Sequence, residues 1–428
     1  MTSGGSDKPD CDGNLQMTLA DCMSCSRRHA EEESYYVAST LGFPRHEAKE
    51  FSLAVTRRIG RSFPALTMLE LFLTDHCNLA CSYCFVEGKH LQGHMSLDTA
   101  REAMSFFIRE SKGESNLNLI LLGGEPLVRF DLLESFLPWA KSEVNKAGKQ
   151  LRIDMTSNGT LLDEERAAFL KRMGVMVLLS MDGDRETHDR SRVDRSGNGS
   201  FSRTLRGLEN LRRTQGYVGV KMTVIPEEVA NLVENVCRLT RRGVHHFLLG
   251  HATGIDWTLE QSEELCEAYL DIYDWWSKLS QDRRPKISMI ENAIGNRKGS
   301  PQPSRHSYGC RAGRQSLMVA PDGGLFPCAK TYGVERMRDF FLLGTLKAGV
   351  TNQELRSQLT GRIAVERQAC WECALQRKCF AGCIAVNAAM TGDAFEQAPS
   401  ECRGQALHLQ LNAVIRKLHQ HANNEVDT

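Results

Sequence analysis

Apolar residues along this chain follow two alternating patterns. Short runs in which most residues are apolar, or every second one is, lie at 68–73, 117–122, 151–156, 175–180, 218–225 and 245–249. Their length and branched content read as buried strands. Between them apolar residues recur every three or four positions. One such helix runs from Ser96, a fitting N-cap, through Ala100, Ala103, Met104 and Phe107. Others span 131–145, 163–172, 201–213, 228–242 and 260–277, and helical patterning also occurs at 31–41 and 46–58, ahead of the first strand. Strands joined by helical crossovers form a parallel sheet. Six such units make an open sheet or a partial barrel, and either gathers ligands at the carboxyl ends of its strands.

The alternation breaks near 297–307, where Lys298, Gly299, Ser300, Pro301, Gln302, Pro303 and Ser304 read as a linker. Beyond it, 316–320 and 325–327 flank Pro321-Asp322-Gly323-Gly324 as a hairpin, and a last helix spans 405–419. The 53 basic and 53 acidic side chains among 428 residues cancel, which gives no basic excess for nucleic acid or a membrane surface. Charged residues at 25% and apolar ones at 41% are ordinary for a globular chain. No apolar run approaches the ~20 residues of a membrane span, and the first residues are polar and Gly-rich, so the expected compartment is the cytoplasm.

Cysteine changes the picture. There are fifteen, and a reducing compartment does not keep structural disulfides, so heavy use there points to metal, cluster or catalysis. Cys237 and Cys266 are isolated and read as small buried apolar residues. Cys77-Asn78-Leu79-Ala80-Cys81-Ser82-Tyr83-Cys84 follows directly on the first strand with the spacing C-x3-C-x2-C. Structural zinc asks for four ligands in a closed tetrahedron, and this loop supplies three thiolates, with His76 too close to Cys77 to complete the chelate comfortably. Three thiolates and one vacancy suit a four-iron cluster whose last iron takes an outside ligand.

On these residues the chain resembles the radical S-adenosylmethionine (SAM) superfamily, Tyr83 before the last Cys included. Gly123-Gly124-Glu125-Pro126 after the second strand resembles the family's amino-group-binding motif, and Ser157-Asn158-Gly159 and Ser180-Met181-Asp182-Gly183 follow the third and fourth strands. The resemblance implies a partial (β/α)6 barrel of the TIM type. It makes Tyr83, Gly123, Gly124, Glu125, Ser157, Asn158, Ser180 and Arg192 contacts of SAM, with Ser180 at the ribose or carboxylate and Arg192, a planar fork, at the carboxylate. Read without the resemblance, Arg192 is a solvated charge in a charged loop. The implied chemistry is reductive cleavage of SAM to a 5′-deoxyadenosyl radical that abstracts hydrogen, with flavodoxin or ferredoxin as the sort of electron donor required.

The C-terminal cysteines run Cys310, Cys328, Cys370-x2-Cys373-x5-Cys379-x3-Cys383 and Cys402, with Gly323 five residues before Cys328. Paired CxxC ligands also serve zinc, but seven thiolates do not fill two tetrahedra. The string resembles the SPASM extension of peptide-modifying radical SAM enzymes. That implies two auxiliary four-iron clusters, an inner one on Cys310, Cys328 and Cys383 and an outer one on Cys370, Cys373, Cys379 and Cys402. Anaerobic sulfatase maturases place a further Cys where this chain has Ser316, and an Asp base where it has Ala329. Both departures argue against sulfatase maturation and leave the inner cluster with an open iron or a non-Cys ligand.

The expected organisation is an extension at 1–64, a radical SAM barrel at 65–300 and a SPASM domain at 301–428. The expected function is oxidative modification of a ribosomally made precursor peptide by cross-linking, thioether formation or dehydrogenation. Tailoring of a haem precursor or an aminoglycoside is the second enzymatic reading, and a zinc-binding interaction module the non-enzymatic one. Cys11, Cys22 and Cys25, with His29, are either a small zinc knot or reduced thiols, and the extension is a candidate docking arm for peptide. No residue is singled out as the catalytic base.

Overall fold

The structure is a computed structural model that describes residues 63–86, 93–252, 254–255, 257–295, 310–360, 373, 375, 379 and 382–426. The helices expected at 31–41 and 46–58, the linker at 298–304, Cys11, Cys22, Cys25 and Cys370 lie outside the described residues. The chain divides into two units, Met1–Pro64 and Ala65–Thr428, and every element below belongs to the second.

Its order is β1 (Met68–Phe72), α1 (Leu97–Glu110), β2 (Asn116–Leu122), α2 (Phe130–Lys146), β3 (Gln150–Ser157), α3 (Glu164–Arg172), β4 (Val175–Ser180), α4 (Arg185–Ser191), α5 (Phe201–Gln215), β5 (Gly219–Val224), α6 (Leu232–Arg241), β6 (His246–His251) and α7 (Leu259–Ser277). Then follow β7 (Lys286–Ile287), α8 (Ser288–Ile294), β8 (Ser316–Val319), β9 (Gly324–Phe326), α9 (Ala329–Gly333), α10 (Arg338–Phe341), β10 (Gly344–Thr345), β11 (Gly349–Val350), α11 (Gln353–Thr360), α12 (Ile384–Thr391) and α13 (Pro399–Val426). The six expected strands are present to within two residues at each end. Ser96 caps α1 as expected, its hydroxyl accepting from the Thr99 N–H at 3.0 Å.

Three differences have physical causes. The helix expected over 228–242 starts as a 3-10 turn at Pro226–Asn231, with the Glu228 N–H on the Ile225 carbonyl at 3.0 Å, and becomes α-helical at Leu232. The short α4 has too few apolar positions to register as periodic. The last helix extends well past 405–419 in both directions.

The sheet has eleven strands in the order β11-β10-β9-β8-β1-β2-β3-β4-β5-β6-β7. Strands β1 to β7 run parallel, and β8 joins the other side of β1, also parallel. The expected hairpin forms as β8 and β9, antiparallel. The Cys-rich C-terminal region is therefore welded to the barrel through one continuous sheet.

One face of that sheet is dry. Leu69, Leu71, Leu119, Leu121, Leu179 and Val220 are fully buried and share a core with Ala103 and Phe107 of α1 and Leu133 and Phe136 of α2. Each fully buried Leu contributes roughly 1.5–3 kcal/mol relative to exposure. The alternate positions face the concave side and carry Glu70 on β1, Ser180 on β4 and Lys221 on β5, with Glu70 beside Ile120 and Met318 and Ser180 beside Lys221.

Gly207 marks where α5 meets the turn after β3. A Cβ there would lie 2.3 Å from the Gly159 carbonyl oxygen. Helix propensity favours Gly207→Ala by about 1 kcal/mol, but backbone cannot retreat as a flexible side chain can. We expect Gly207→Ala to destabilise the fold by about 1–3 kcal/mol, measured by urea unfolding; a raised midpoint would contradict this contact.

Candidate active site

The loop after β1 carries the first thiol group. It is clamped along its length: the Ala80 and Ser82 N–H groups donate to the Val193 and Ser191 carbonyls at 2.8 and 3.0 Å, and Arg195 Nε donates to the Cys77 carbonyl at 3.2 Å. Asn78 donates to Thr160 Oγ1 at 2.8 Å and accepts from Asn158 Nδ2 at 2.9 Å. The turn is thus set before any metal arrives. Cys77 is buried, with Cys81 and Cys84 partly accessible. Burial, then the nearby Glu125, Cys81 and Cys84, push the Cys77 thiol up to about 12. Without a cation Cys77 keeps its proton, and binding iron releases it. Among the described residues no three His, Cys, Asp or Glu side chains converge on a single-ion point. A four-iron cluster makes no such demand, since each iron takes its own protein ligand. Three coupled thiols on a clamped loop fit that group.

The Gly123-Gly124-Glu125 turn presses on the same loop. A Cβ at Gly124 would meet the His76 carbonyl oxygen at 2.4 Å, and one at Gly123 the Thr74 carbonyl oxygen at 2.9 Å. The glycines let two backbones touch: the Gly124 N–H donates to Thr74 at 2.7 Å and the Glu125 N–H to His76 at 3.0 Å. Glu125 is buried, and its carboxylate is committed to protein donors. Oε1 accepts from the Leu127 N–H and Ser157 Oγ at 3.0 and 2.8 Å, and Oε2 from the Asn158 N–H at 2.7 Å. It ties the turns after β2 and β3 together, a bracing role that the motif alone does not disclose.

The fourth turn corrects the picture of Arg192 as a solvated charge. Arg192 is buried, and its fork grips Asp182 through Nε to Oδ2 at 2.7 Å and Nη2 to Oδ1 at 3.1 Å. Asp182 also accepts from the Tyr83 hydroxyl and, at 2.8 Å, from the Thr223 N–H. The Tyr83 ring lies 5.3 Å from the Arg192 guanidinium. Burial raises the Asp182 pKa, but Arg192 outweighs it and the net shift is downward. Behind this pair His188 Nδ1 accepts from the Asp182 N–H at 3.4 Å, its Nε2–H donates to Ser200 Oγ at 3.0 Å, and Ser200 donates to the Arg192 carbonyl at 2.7 Å. Burial and Arg192 lower the His188 pKa to about 4. Of the residues read as SAM contacts, the fold therefore brings Tyr83 and Arg192 into one cluster, and Glu125, Ser157 and Asn158 into a second beside the thiol loop. Ser180 is buried at the end of β4, two residues before Asp182.

No local pattern in the chain marks a further charged group in the barrel lumen. Glu70 accepts from the Ala329 N–H at 2.7 Å, and burial raises its pKa to about 7 against the opposing pull of that bond and of Lys221. Burial and Lys330 lower the Lys221 pKa. The Cys328 thiol is pushed well up by burial, then by Glu70, Cys383 and Cys310. Cys310, Cys328 and Cys383 thus form a coupled group. Tyr332 is buried and donates to Asp75 Oδ1 at 2.9 Å.

Two outcomes follow from these buried charges. Arg192→Met should destabilise the protein by about 3–5 kcal/mol at neutral pH, because Asp182 is left buried and unpaired. Denaturant unfolding checks this, and the deficit should shrink in acid as Asp182 protonates. His188 stays neutral when folded, so the unfolded chain binds its proton first. Stability should fall by about 3 kcal/mol between pH 6.5 and 4, and His188→Gln should remove that slope.

Comparison with known proteins bears on the barrel itself. Residues 71–240 match the sequence profile of the Radical SAM superfamily. The cysteine-type anaerobic sulfatase-maturating enzyme of Clostridium novyi is 24% identical over 69% of this chain and 79% of its own. The AdoMet-dependent heme synthase of Methanosarcina barkeri is 28% identical over 76% of this chain and 93% of its own. The solved structure of anSMEcpe with bound AdoMet and Cp18Cys peptide superposes with a TM-score of 0.67 at 19% identity, over 84% of this chain and 99% of that one. Streptococcus suis SuiB bound to precursor peptide SuiA gives 0.58 at 15%, over 90% and 89%. These likenesses show the partial-barrel fold. With the clamped cysteine loop at its mouth and the profile match across its strands, residues 71–240 form a radical SAM domain, and the chain is an enzyme that carries it.

Proposed function

We propose that this protein is an oxidative peptide maturase with a SPASM-type C-terminal region. One observation carries the reading: Cys328 follows the β8–β9 hairpin, and β8 pairs with β1, the strand that launches the first thiol loop. An electron acceptor so placed suits a substrate that must lose an electron after it loses a hydrogen atom. Solved neighbours bound to Cp18Cys peptide and to precursor peptide SuiA support a peptide as the class of substrate.

In this reading Cys77, Cys81 and Cys84 hold the SAM-binding four-iron cluster. Cys310, Cys328 and Cys383 hold an inner auxiliary cluster, and Cys370, Cys373, Cys379 and Cys402 an outer one. When bound and reduced by a flavodoxin or ferredoxin, SAM and its cluster supply a 5′-deoxyadenosyl radical. The chain's own residues bind, orient and shield. Gly123 and Gly124 offer backbone to the SAM amino group, and Glu125 fixes that turn against Ser157 and Asn158. Tyr83 and Ser180 line the approach, and Arg192, anchored by Asp182, supplies positive charge for the SAM carboxylate. Residues 1–64 serve as a docking extension, 65–300 as the radical barrel and 301–428 as the auxiliary-cluster region. The similarity to a heme synthase over most of both chains supports a second reading, tailoring of a tetrapyrrole.

Anaerobic reconstitution should load roughly twelve irons and yield 5′-deoxyadenosine from SAM and dithionite. Replacing Cys77, Cys81 and Cys84 with Ala should abolish that product, and unchanged product would overturn the assignment. Co-expression with a peptide encoded beside this gene should change the peptide's mass by the loss of hydrogens. An unaltered peptide together with a modified tetrapyrrole would favour the second reading.

A further inference from the structure

The inner thiol group supplies three sulfurs for four irons, and Ser316 stands where related maturases place another Cys. The structure shows a different donor in position. Glu70 points from β1 into the lumen, one in-register position from Met318 of β8. β9 returns antiparallel to β8, with Phe326 opposite Met318, so the chain two residues on, at Cys328, arrives beside the same wall. Glu70 Oε2 accepts from the N–H of Ala329, the residue after Cys328, at 2.7 Å. Among the described residues Oε1 has no hydrogen bond. Lys221 acts on Glu70 across the lumen, but no ion pair joins them among the described residues.

The Ala329 N–H bond holds the carboxylate beside Cys328, one residue back along the chain. Ser316 begins β8 opposite Met68, one inward position short of Glu70 along the strand, and its buried hydroxyl has no partner among the described residues. It is the competing oxygen donor.

We propose that the Glu70 carboxylate is the fourth protein ligand of the auxiliary cluster held by Cys310, Cys328 and Cys383. This rests on the auxiliary-cluster reading above. An anionic oxygen is a competent iron ligand, harder than thiolate. One oxygen pinned by a backbone N–H leaves the other oriented without further loss of side-chain freedom. Closing the last corner leaves no iron for substrate, so this cluster carries electrons and does not bind the peptide.

The test needs no substrate. In full-length protein with Cys77, Cys81 and Cys84 all changed to Ala, the SAM-binding cluster is absent and about eight irons should remain. After dithionite reduction, ¹³C-labelled cyanide is the probe of an open iron, read by ¹³C hyperfine coupling in electron nuclear double resonance. With Glu70 in place no coupling should appear. Glu70→Gln keeps an oxygen for the Ala329 N–H but removes the anionic ligand. It should retain the irons, shift the g-values of one cluster and show ¹³C coupling. Glu70→Cys should exclude cyanide again, and Ser316→Ala should match the parent. Cyanide binding with Glu70 present, a Glu70→Gln spectrum identical to the parent, loss of iron from Glu70→Gln, or opening by Ser316→Ala would each overturn the proposal. A parent that loads about four irons or fewer refutes the auxiliary-cluster reading itself, and the ligand assignment with it.

Discussion

The structure depends on β1 being paired in parallel on both edges, with β2 on one side and β8 on the other. A strand with both edges hydrogen-bonded and one face packed in core has little freedom left. That rigidity is passed to what the strand carries. Its carboxyl end launches the cysteine loop, and its inward face presents Glu70. The two thiol groups are therefore referenced to one strand, although they lie more than two hundred residues apart in the chain.

The buried carboxylates near the site show how environment sets their state. Glu125 is surrounded by neutral donors, and desolvation wins, so its pKa rises. Asp182 faces the same burial but meets the Arg192 fork, and its pKa falls. Glu125 thus braces two turns through hydrogen bonds, while Asp182 holds a cation in place. Breaking the second costs more, because it strands a charge.

Helix α9 acts as a strut between the thiol groups. At its start Ala329 donates to Glu70. Near its end Tyr332 donates to Asp75, two residues before Cys77. The Tyr332 ring packs edge-on against Phe72 of β1 at 5.0 Å and Phe326 of β9 at 5.1 Å. A Cβ on Gly333 would strike Phe85, just past Cys84. Small shifts at either thiol group are resisted by the same short helix.

The sequence by itself determined the alternation of strands and helices, the hairpin at β8 and β9, and the thiol loop at the mouth. These signals are local: periodicity, turn residues and spacing act over a few positions. It did not disclose that β8 would pair with β1, since parallel pairing of distant segments leaves no mark in either one. The burial of Arg192 was likewise invisible, because its partner Asp182 lies across a turn and a charged stretch looks the same in solvent or core. Glu70 looked like one polar residue in an apolar strand. Only the assembled sheet turned it inward and brought Ala329 to its oxygen, since which side of a strand faces the lumen is settled by its neighbours and not by its own residues.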